Sequence, residues 1–600
     1  MSIRVTFAGA SLIKPGSYSV VEPTESGIAS PALGVVALIG EATSGKPFAS
    51  ETGLDAVTYG PDEFAAILEK YGSGELVDAA RLAITPSNDP QIQGGAQEII
   101  LIKTNASTQA SAAIKSGANT YGTVAAKKWG EKGNQISVAV AITSAKAIVT
   151  VNDLARGISE TSAALGGNTS LSILCTDGTA SAATVTIDAL KITTTITGGT
   201  AANLSAPLAN FNTIAKLAAY INAHTGYTAT VPTSAIGNMP LTALDRVTAA
   251  SIKTTALAIK KDAFEMADFF SKSALVDFTP DATYGVAGLP TLNVKAFLSL
   301  GSLGGTNQSA IQAAFDALLK RRVNFVVPLF SRDATADQAQ NLTDSTSNYS
   351  IDSVHAAANS HCQEASTVKG RKERQAFVGY KGTYADTAEK AAVLSSARVQ
   401  MTFQDVTILS ASTGLATSAR PHMLAVISAG MKASAPVGLP NTFKQPAVLG
   451  FAHTEFDAET QYEQALSDNL CFLEKAPTGG FRFVLDNSTY SLDENAWIYN
   501  RPSVLYASDI LAYLIRINTE QFIGKRNSDV SEEGIKNLLI GVMDSAKSAG
   551  IIVSDKNTQG RGYKDLKVKI TGSIVTIDVT CALVEGLEFI LSSIKVQRAG

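Results

Sequence analysis

The sequence predicts a multidomain α/β (α+β) protein, in which a discontinuous α/β core carries a peripheral β-rich insertion and extended N- and C-terminal arms. Three observations predict this class. Strand and helix patterns occur on both sides of a stretch rich in Thr, Ala, Ser and Gly, and alternating apolar and polar residues occupy both chain ends. At 600 residues the chain is also long enough for about four domains of ordinary size.

Residues 1–24 predict an extended arm. Apolar and polar residues alternate at Ile3, Val5 and Phe7, and again around Tyr18 and Val20, on either side of a Pro-Gly pair. A period of two is typical of strands, so the arm is not helical.

Residues 25–120 predict the first part of the core. The run Gly34–Gly40 is a continuous apolar segment, as in a buried strand. A helix follows Pro61 and ends at Gly72, and Ile99–Ile102 predicts a second strand. The apolar positions that indicate the helix are Phe64, Ile67, Leu68 and Tyr71. This order suits two parallel strands joined by a crossover helix.

Residues 121–240 predict the β-rich insertion. Short alternating runs lie at Gln135–Ile142, Ala147–Val151 and Ala183–Ile187, and a single helix is expected near Ile214–His224.

Residues 241–490 return to the α/β pattern of the core. A helix at Ile311–Lys320 leads to a strand at Val323–Val327, which Pro328 stops. A strand at Gln375–Gly379 and a helix at Thr387–Ser396 follow. The residues expected on the apolar face of the first helix are Ile311, Ala314, Phe315 and Leu318.

Residues 491–600 predict a C-terminal domain with a terminal strand arm. Helices are expected at Ser503–Ile523 and about Ser531–Ala549, the second ending at Gly550. Strands are expected at Leu566–Ile570, Ile574–Val579 and Leu587–Val596. Unpaired strands at chain ends invite pairing with another chain. The predicted inter-subunit arm contacts are therefore Ile3, Val5, Phe7, Tyr18, Val20, Val568, Ile570, Ile574 and Val596.

The composition excludes several classes of protein. With 45% hydrophobic and 17% charged residues, the chain is not intrinsically disordered. A net charge of −4 provides no general attraction for nucleic acid, so no direct nucleic-acid partner is expected.

The four cysteines are far apart and are expected to be reduced thiols. The N-terminus lacks the apolar segment of a signal peptide and no apolar run approaches membrane-spanning length, so a soluble chain without a membrane partner is expected.

The motifs that could carry catalysis fail on inspection. Gly40–Lys46 has the spacing of a phosphate-binding loop, but Pro47 stands where a magnesium-binding hydroxyl is required. We find no Gly-x-Ser-x-Gly elbow and no local Ser-His-Asp signature among five histidines. No catalytic residue and no cofactor is therefore predicted.

Two clusters could suggest a metal site, and neither is predicted to be one. His355, His361 and Cys362 do not share one helical face and have no fourth ligand nearby. The acidic run from His453 to Glu459 lacks the glycine turn of a cation-binding loop, so we expect a solvated edge there.

Several segments, in order along the chain, resemble the contractile tail sheath proteins of bacteriophages and related injection particles. PGSYSV is similar to the early "PGVY" motif of that family, and GVVALIGEATSGKP to its strand and "G-x-A-x-x-GP" loop. Lys128-Trp129-Gly130 resembles the "WGN" segment before the β-rich insertion, here interrupted by Glu131-Lys132. LGGTNQSAIQAAFDALLKRRVNFVVP and AVISAGMKASAPVGLPNTFKQPA match two later segments. Asn500-Arg501 matches the hallmark "N-x-R-R" motif, with Pro502 in place of an arginine.

The resemblance implies a structural protein of the virion tail and no enzyme. Subunits of that family polymerise into a helical sleeve around a tail tube, add terminal strands to neighbouring subunits, and contract during genome ejection and host cell entry. The implied partners are further copies of the chain, the tail tube protein, the baseplate and the tail terminator, with assembly in the host cytoplasm as a late protein. The family places its C-terminal domain innermost, which implies tube contact by Lys525, Arg526, Asp529, Glu532 and Glu533.

Two other classes remain open from the residues alone. One is an α/β hydrolase whose triad is assembled from distant residues, because triads form in space and not in sequence. The other is a surface-layer or adhesin-like structural protein, which the Thr/Ala-rich insertion favours.

Overall fold

A computed structural model describes residues 5–7, 10–12, 33–116, 119–144, 146–280, 293–477, 479–491, 497–588, 590, 591 and 593. Of the predicted arm contacts, Ile3, Tyr18, Val20 and Val596 lie outside the described residues. The secondary structure is mixed helix and strand, arranged in several sheets and hydrophobic cores, which confirms the predicted class.

A six-stranded sheet forms the centre of the core. Five strands are parallel and the short edge strand Thr58–Tyr59 is antiparallel. The spatial order is Val399–Thr402, Gln375–Gly379, Phe325–Pro328, Val35–Gly40, Glu98–Lys103 and Thr58–Tyr59. Strands from two distant parts of the chain therefore share one sheet, which confirms the discontinuous core.

Helices cover both faces of this sheet, so its inner strands are continuous apolar runs. Val36 and Leu38 face one hydrophobic cluster, and Val35, Ala37 and Ile39 face the other. The helices that contribute to the first cluster are Phe64–Tyr71, Glu75–Ile84, Pro421–Ser434, Pro502–Thr519 and Glu532–Ser548. Those of the second face are Gln308–Leu318, Ile351–Ala365 and Tyr384–Leu394, with short helices at Ala334–Gln338 and Tyr462–Ser467.

The predicted core elements are confirmed with small shifts of their ends. All four apolar positions proposed for the helix after Ile311 are buried, and Pro328 is the last residue of its strand. In the helix Phe64–Tyr71, Ile67 and Tyr71 are buried but Leu68 is exposed. That helix covers the rim of the sheet and so buries only part of its apolar stripe.

Four sheets and three helices lie between the two parts of the core. In the described part of the chain, none of their strands belongs to the central sheet. The strands are Gln109–Ser116, Asn119–Trp129, Ile136–Thr143, Lys146–Asp153, Ile158–Thr161, Thr169–Cys175, Ala182–Ile187, Lys191–Thr197, Ser205–Pro207, Tyr227–Thr230, Val247–Ser251, Leu257–Lys260, Val276–Pro280 and Asn293–Phe297. The helices are Ile214–Asn222, Ser234–Gly237 and Asp262–Lys272. The insertion is β-rich with a helix after Thr213, as predicted. The expectation of a single helix is wrong, because a short second helix lies at Ser234–Gly237. The boundaries at 121 and 240 stay a prediction.

The chain passes between core and insertion twice, and the two passages are hydrogen-bonded to each other. Asn105 Nδ2 donates to the Leu303 carbonyl at 2.8 Å, and the hydroxyls of Thr104 and Thr306 are 2.9 Å apart. Lys103 is buried beside them and donates to the Asn105 carbonyl at 2.8 Å and to the Ser107 hydroxyl. This junction is polar although it is shielded from water.

The C-terminal part contains the helices Pro502–Thr519 and Glu532–Ser548, followed by a hairpin of Tyr563–Thr571 and Ile574–Cys581. Small sheets complete the described fold. They contain Val5–Phe7 with Ala10–Leu12, Asp405–Leu409 with Ala416–Ala419 and Gly450–Ala452, and Leu473–Lys475 with Phe481–Phe483. The strand predicted at Leu587–Val596 is wrong in its described residues, which have no regular structure because no strand of their own chain pairs with them there.

Candidate assembly surface

The strands Tyr563–Thr571 and Ile574–Cys581, called the C-terminal hairpin below, form an antiparallel pair and nothing larger in the described part of the chain. Its apolar residues alternate with charged ones, as expected for a ribbon with one covered face. Cys581 Sγ lies 3.8 Å from Met543 Sδ of the preceding helix, and Val579 packs on the same core. Both outer edges of the ribbon are without a strand partner among the described residues.

The predicted arm contacts fall in two places. Val568 and Ile570 are half-buried in the first strand of the C-terminal hairpin, and Ile574 is exposed at its turn. Val5 and Phe7 lie in a strand that pairs antiparallel with Ala10–Leu12, so this part of the arm is folded on itself. The structure therefore brings three of the nine predicted contacts together.

Of the residues predicted to touch a tube, Lys525, Arg526 and Asp529 lie between the last two helices, and Glu532 and Glu533 begin the second of these helices. All five are exposed. Lys525 Nζ is 5.2 Å from the centre of the Phe522 ring. Glu532 begins the helix Glu532–Ser548, where a carboxylate is favoured by the helix dipole. Its Oε1 also accepts a hydrogen bond from the Ile570 amide at 2.7 Å, so Glu532 covers one backbone donor of the C-terminal hairpin.

The linker and the C-terminal hairpin enclose one cleft of about 560 Å³, with mainly apolar walls. Ile535, Ile570 and Ile577 line it, and Ile523 at its rim is 79% exposed. One predicted arm contact, Ile570, and one predicted tube contact, Lys525, thus line the same cleft, which the sequence did not show.

A salt bridge that the sequence analysis missed holds the chain after the C-terminal hairpin. Arg501 binds Glu588 through two parallel contacts, Nη2 to Oε2 at 2.9 Å and Nε to Oε1. Asn500 is buried and donates to the Tyr490 carbonyl at 2.6 Å. The Asn500-Arg501 motif therefore fixes both the start of the helix Pro502–Thr519 and the path of the C-terminal segment. The motif was a signal for Arg501, but nothing in the sequence indicated Glu588.

The carboxyl edge of the central sheet, where α/β proteins commonly bind ligands, is filled by charged side chains. Arg420 Nη1 contacts Asp337 Oδ2 at 2.5 Å, and its Nε donates to Glu75 Oε1 at 2.8 Å. Burial alone would raise the pKa of Glu75, but His422 and Arg420 outweigh it and hold the pKa well below its usual range. This edge is an internal ion-pair network.

A Ser-His-Glu arrangement does occur in this network. The Ser331 hydroxyl lies 2.7 Å from His422 Nδ1, and His422 Nε2 lies 3.4 Å from Glu75 Oε2. However, Ser331 and His422 are both fully buried. A Cβ on Gly379 would stand 2.1 Å from the His422 amide nitrogen, so the backbone packs closely on this side. No substrate could reach this serine without local opening.

The rejected motifs are structural parts of the core. Amides of the loop after Gly40 donate to carbonyls within the chain, Thr43 N to Ser73 O at 2.9 Å and Ser44 N to Tyr71 O at 3.0 Å. His361 is buried against Arg374, and burial together with this cation lowers its pKa to about 3.

In the described residues, no group of three His, Cys, Asp or Glu side chains could hold a metal ion. None of the described helices has both the length and the apolar character needed to span a bilayer.

The comparisons agree with the resemblance seen in the motifs. No family model matches the chain. The chain is 26% identical to the tail sheath protein of Bacillus phage SP01 over 615 aligned residues, covering 98% of this chain and 96% of the relative. It is 24% identical to a putative tail sheath protein of Enterococcus phage phiEF24C, covering 58% of this chain and 56% of the relative.

A solved structure shares the fold. The sheath tail protein of Desulfitobacterium hafniense superimposes with a TM-score of 0.50 at 13% identity, covering 95% of this chain and all of the other. The fold is therefore that of a multidomain sheath-type protein. The similarity to tail sheath proteins that the motifs indicated is confirmed over nearly the whole chain.

Proposed function

We propose that this protein is the subunit of a contractile tail sheath, which polymerises into a helical sleeve around a tail tube. The observation that carries the proposal is the similarity to the tail sheath protein of phage SP01 along 98% of the chain, insertion and C-terminal part included. A head-to-tail contact whose rotation does not close builds such an open helix.

Strand addition at the C-terminal hairpin would link the subunits. A two-stranded ribbon is only marginally stable alone, and its open edges present a ladder of donors and acceptors. Arms from neighbouring copies, with Val5 and Phe7 among their residues, would extend this ribbon into a larger sheet. Because such links are hydrogen-bonded but flexible, the subunits could rotate as rigid bodies during contraction.

The linker from Gly524 to Glu533 would make the tube contact, with Lys525, Arg526, Asp529, Glu532 and Glu533 as contact residues. All five are exposed, and Lys525 lines the cleft beside the C-terminal hairpin, which supports this assignment. Rim charges of this kind set register and association rate more than affinity. The baseplate and tail terminator would bind the two ends of the polymer, which would be assembled in the host cytoplasm and carried in the virion tail.

We infer that the chain is not an enzyme. The burial of Ser331 and His422 supports this inference, because a hydrolase triad needs an accessible nucleophile. The amides of Thr43 and Ser44, in the loop after Gly40, donate within the chain and so are not free to bind a phosphate.

Negative-stain microscopy of the purified protein tests the proposal, with a generic ester hydrolysis assay on the same sample. We expect helical tubes and no turnover above a Ser331→Ala control. Planar lattices would favour a surface-layer protein, and turnover that disappears in Ser331→Ala would favour a hydrolase. Either result would overturn the proposed function.

A further inference from the structure

A pocket of about 450 Å³ opens between the core and the insertion and is lined by positive charge. We call it the basic pocket. Its cationic wall residues are Lys46, Lys70, Lys127, Lys128 and Arg156, with Trp129 between them. Two acidic residues, Glu51 and Glu69, also line it. The wall thus carries more cations than anions, although the whole chain has a net charge of −4.

Part of this charge is already used within the chain. Lys70 Nζ is 2.8 Å from Glu51 Oε1, Arg156 Nε is 2.6 Å from Asp153 Oδ2, and Lys127 Nζ is 3.8 Å from Asp277 Oδ1. Lys46 and Lys128 are the wall cations outside these pairs. Lys128 is half-buried in the pocket wall. Burial together with the neighbouring Arg156 and Lys132 lowers its pKa, against the opposite effect of Asp153 and Glu69. Positive side chains held close together at partial burial favour a bound anion, which would relieve their repulsion.

The same chain carries a complementary acidic surface. The segment from Glu455 to Glu463, called the acidic loop, exposes four carboxylates, those of Glu455, Asp457, Glu459 and Glu463. His453 and Phe456 anchor it by packing their rings against Phe403 at 5.3 and 5.0 Å. The acidic loop therefore exposes its carboxylates while aromatic packing holds it against the core.

The pocket and the loop lie toward opposite edges of the central sheet. Lys70 Nζ donates to the carbonyl of Ala56, just before the edge strand Thr58–Tyr59. The acidic loop packs on Phe403, which follows the strand Val399–Thr402 at the other edge. With a strand spacing of about 4.8 Å, six strands separate these edges by roughly 24 Å. A contact between them must therefore join different copies.

We propose that the basic pocket of one copy binds the acidic loop of the next copy in the polymer. The contact is heterologous, since it joins two different surfaces, and heterologous contacts are the kind that generate open helices. The inference rests on the proposed polymerisation and adds to it a body-to-body contact independent of the terminal arms.

Charge reversal with exchange of partners tests this contact. The pocket variant is Lys46→Glu with Lys128→Glu, both in the pocket wall, and the loop variant is Glu459→Lys with Glu463→Lys. The critical concentration for tube formation is measured by sedimentation in a salt series. We expect each variant alone to raise it roughly tenfold at low salt, because like charges then face each other.

Mixing the two variants in equal amounts should restore tubes. In an alternating polymer each reversed pocket meets a reversed loop, and each original pocket meets an original loop. A chain carrying all four substitutions should also assemble. The matched control, Lys191→Glu with Lys216→Glu, changes exposed lysines of the insertion and should assemble as the unaltered chain does.

Circular dichroism checks that each variant is folded. The milder pair Lys46→Gln with Lys128→Gln should give an intermediate effect. Normal assembly of both reversed variants would overturn the contact. Loss of assembly that neither mixing nor the combined variant restores would also overturn it, because the pocket would then bind something other than the loop. If the unaltered chain forms no tubes, the proposed function itself fails.

Discussion

Lys103 is a fully buried lysine at the junction between core and insertion, and it should destabilise the fold at neutral pH. Burial lowers its pKa to about 7, although Glu41 nearby acts in the opposite direction. The ordinary lysine value is about 10.4, and each pH unit corresponds to about 1.36 kcal/mol. Keeping the buried ammonium charged therefore costs about 5 kcal/mol relative to the unfolded chain.

Lys103→Met should remove this cost while keeping the volume of the side chain. The substitution also removes two hydrogen bonds, to the Asn105 carbonyl and the Ser107 hydroxyl, worth about 1 kcal/mol each. Ser107 keeps its own bond to the Leu303 carbonyl at 3.0 Å. We therefore expect the free energy of unfolding at pH 6 to rise by about 2 to 4 kcal/mol.

The pH dependence of the free energy of unfolding tests the role of Lys103 more directly than its value at one pH. Between pH 7 and about 10.4 the unfolded chain binds the lysine proton and the folded chain does not, so the stability contributed by this site rises with pH. The advantage of Lys103→Met should thus be full below pH 7 and shrink toward pH 10. Urea unfolding at several pH values measures it, with the exposed Lys216→Met as control, expected within about 0.5 kcal/mol of the unaltered chain. A variant less stable at pH 6, or one with an unchanged pH slope, would refute the reasoning.

Further predictions concern the assembly surfaces. Removing residues 1–22 should leave a folded protein that no longer forms tubes by negative-stain microscopy, and tubes of normal length would contradict strand addition by the arm. Reversing Lys525 and Arg526 to glutamate should weaken pelleting with tubes at low salt because long-range attraction is lost. Equal pelleting at every salt concentration, with an unchanged circular dichroism spectrum, would show that the linker touches nothing. Replacing residues 109–299 with a short Gly-Ser link should leave the core folded, since Asn105 and Leu303 already lie side by side; an insoluble product would place the insertion within the core.

Local periodicity was sufficient to predict a helix with one buried face and a strand with both faces buried. The helix after Asn307 buries the four residues that its spacing indicated, and Gln375–Gly379 is a strand with the predicted ends. The helix Pro421–Ser434 was missed because it is buried on nearly every side and has no polar face to reveal its period. Its residues were matched to a segment of the sheath family, and no element was predicted for them.

The assembly surface was less predictable, because it depends on contacts between distant residues. Sequence patterns indicated the linker and the strands of the C-terminal hairpin, but not that Glu532 would bind the Ile570 amide or that one cleft would join them. The Ser331, His422 and Glu75 cluster also has no local signal, since its members lie on separate segments of the chain. The central sheet brings these three residues together at its carboxyl edge.

The segment after Glu588 shows how a wrong structural prediction can still inform function. Apolar residues there predicted a strand, yet Leu587, Ile590 and Leu591 are 90%, 85% and 94% exposed and form no strand in the single chain. Burying side chains of this size contributes about 1.5 to 3 kcal/mol each, so leaving three exposed forfeits several kcal/mol. The Arg501–Glu588 pair holds the start of this segment against the helix Pro502–Thr519. A strand pattern without a partner in its own chain is what strand addition to a second copy requires, because the hydrogen bonds and the apolar burial then form only on assembly.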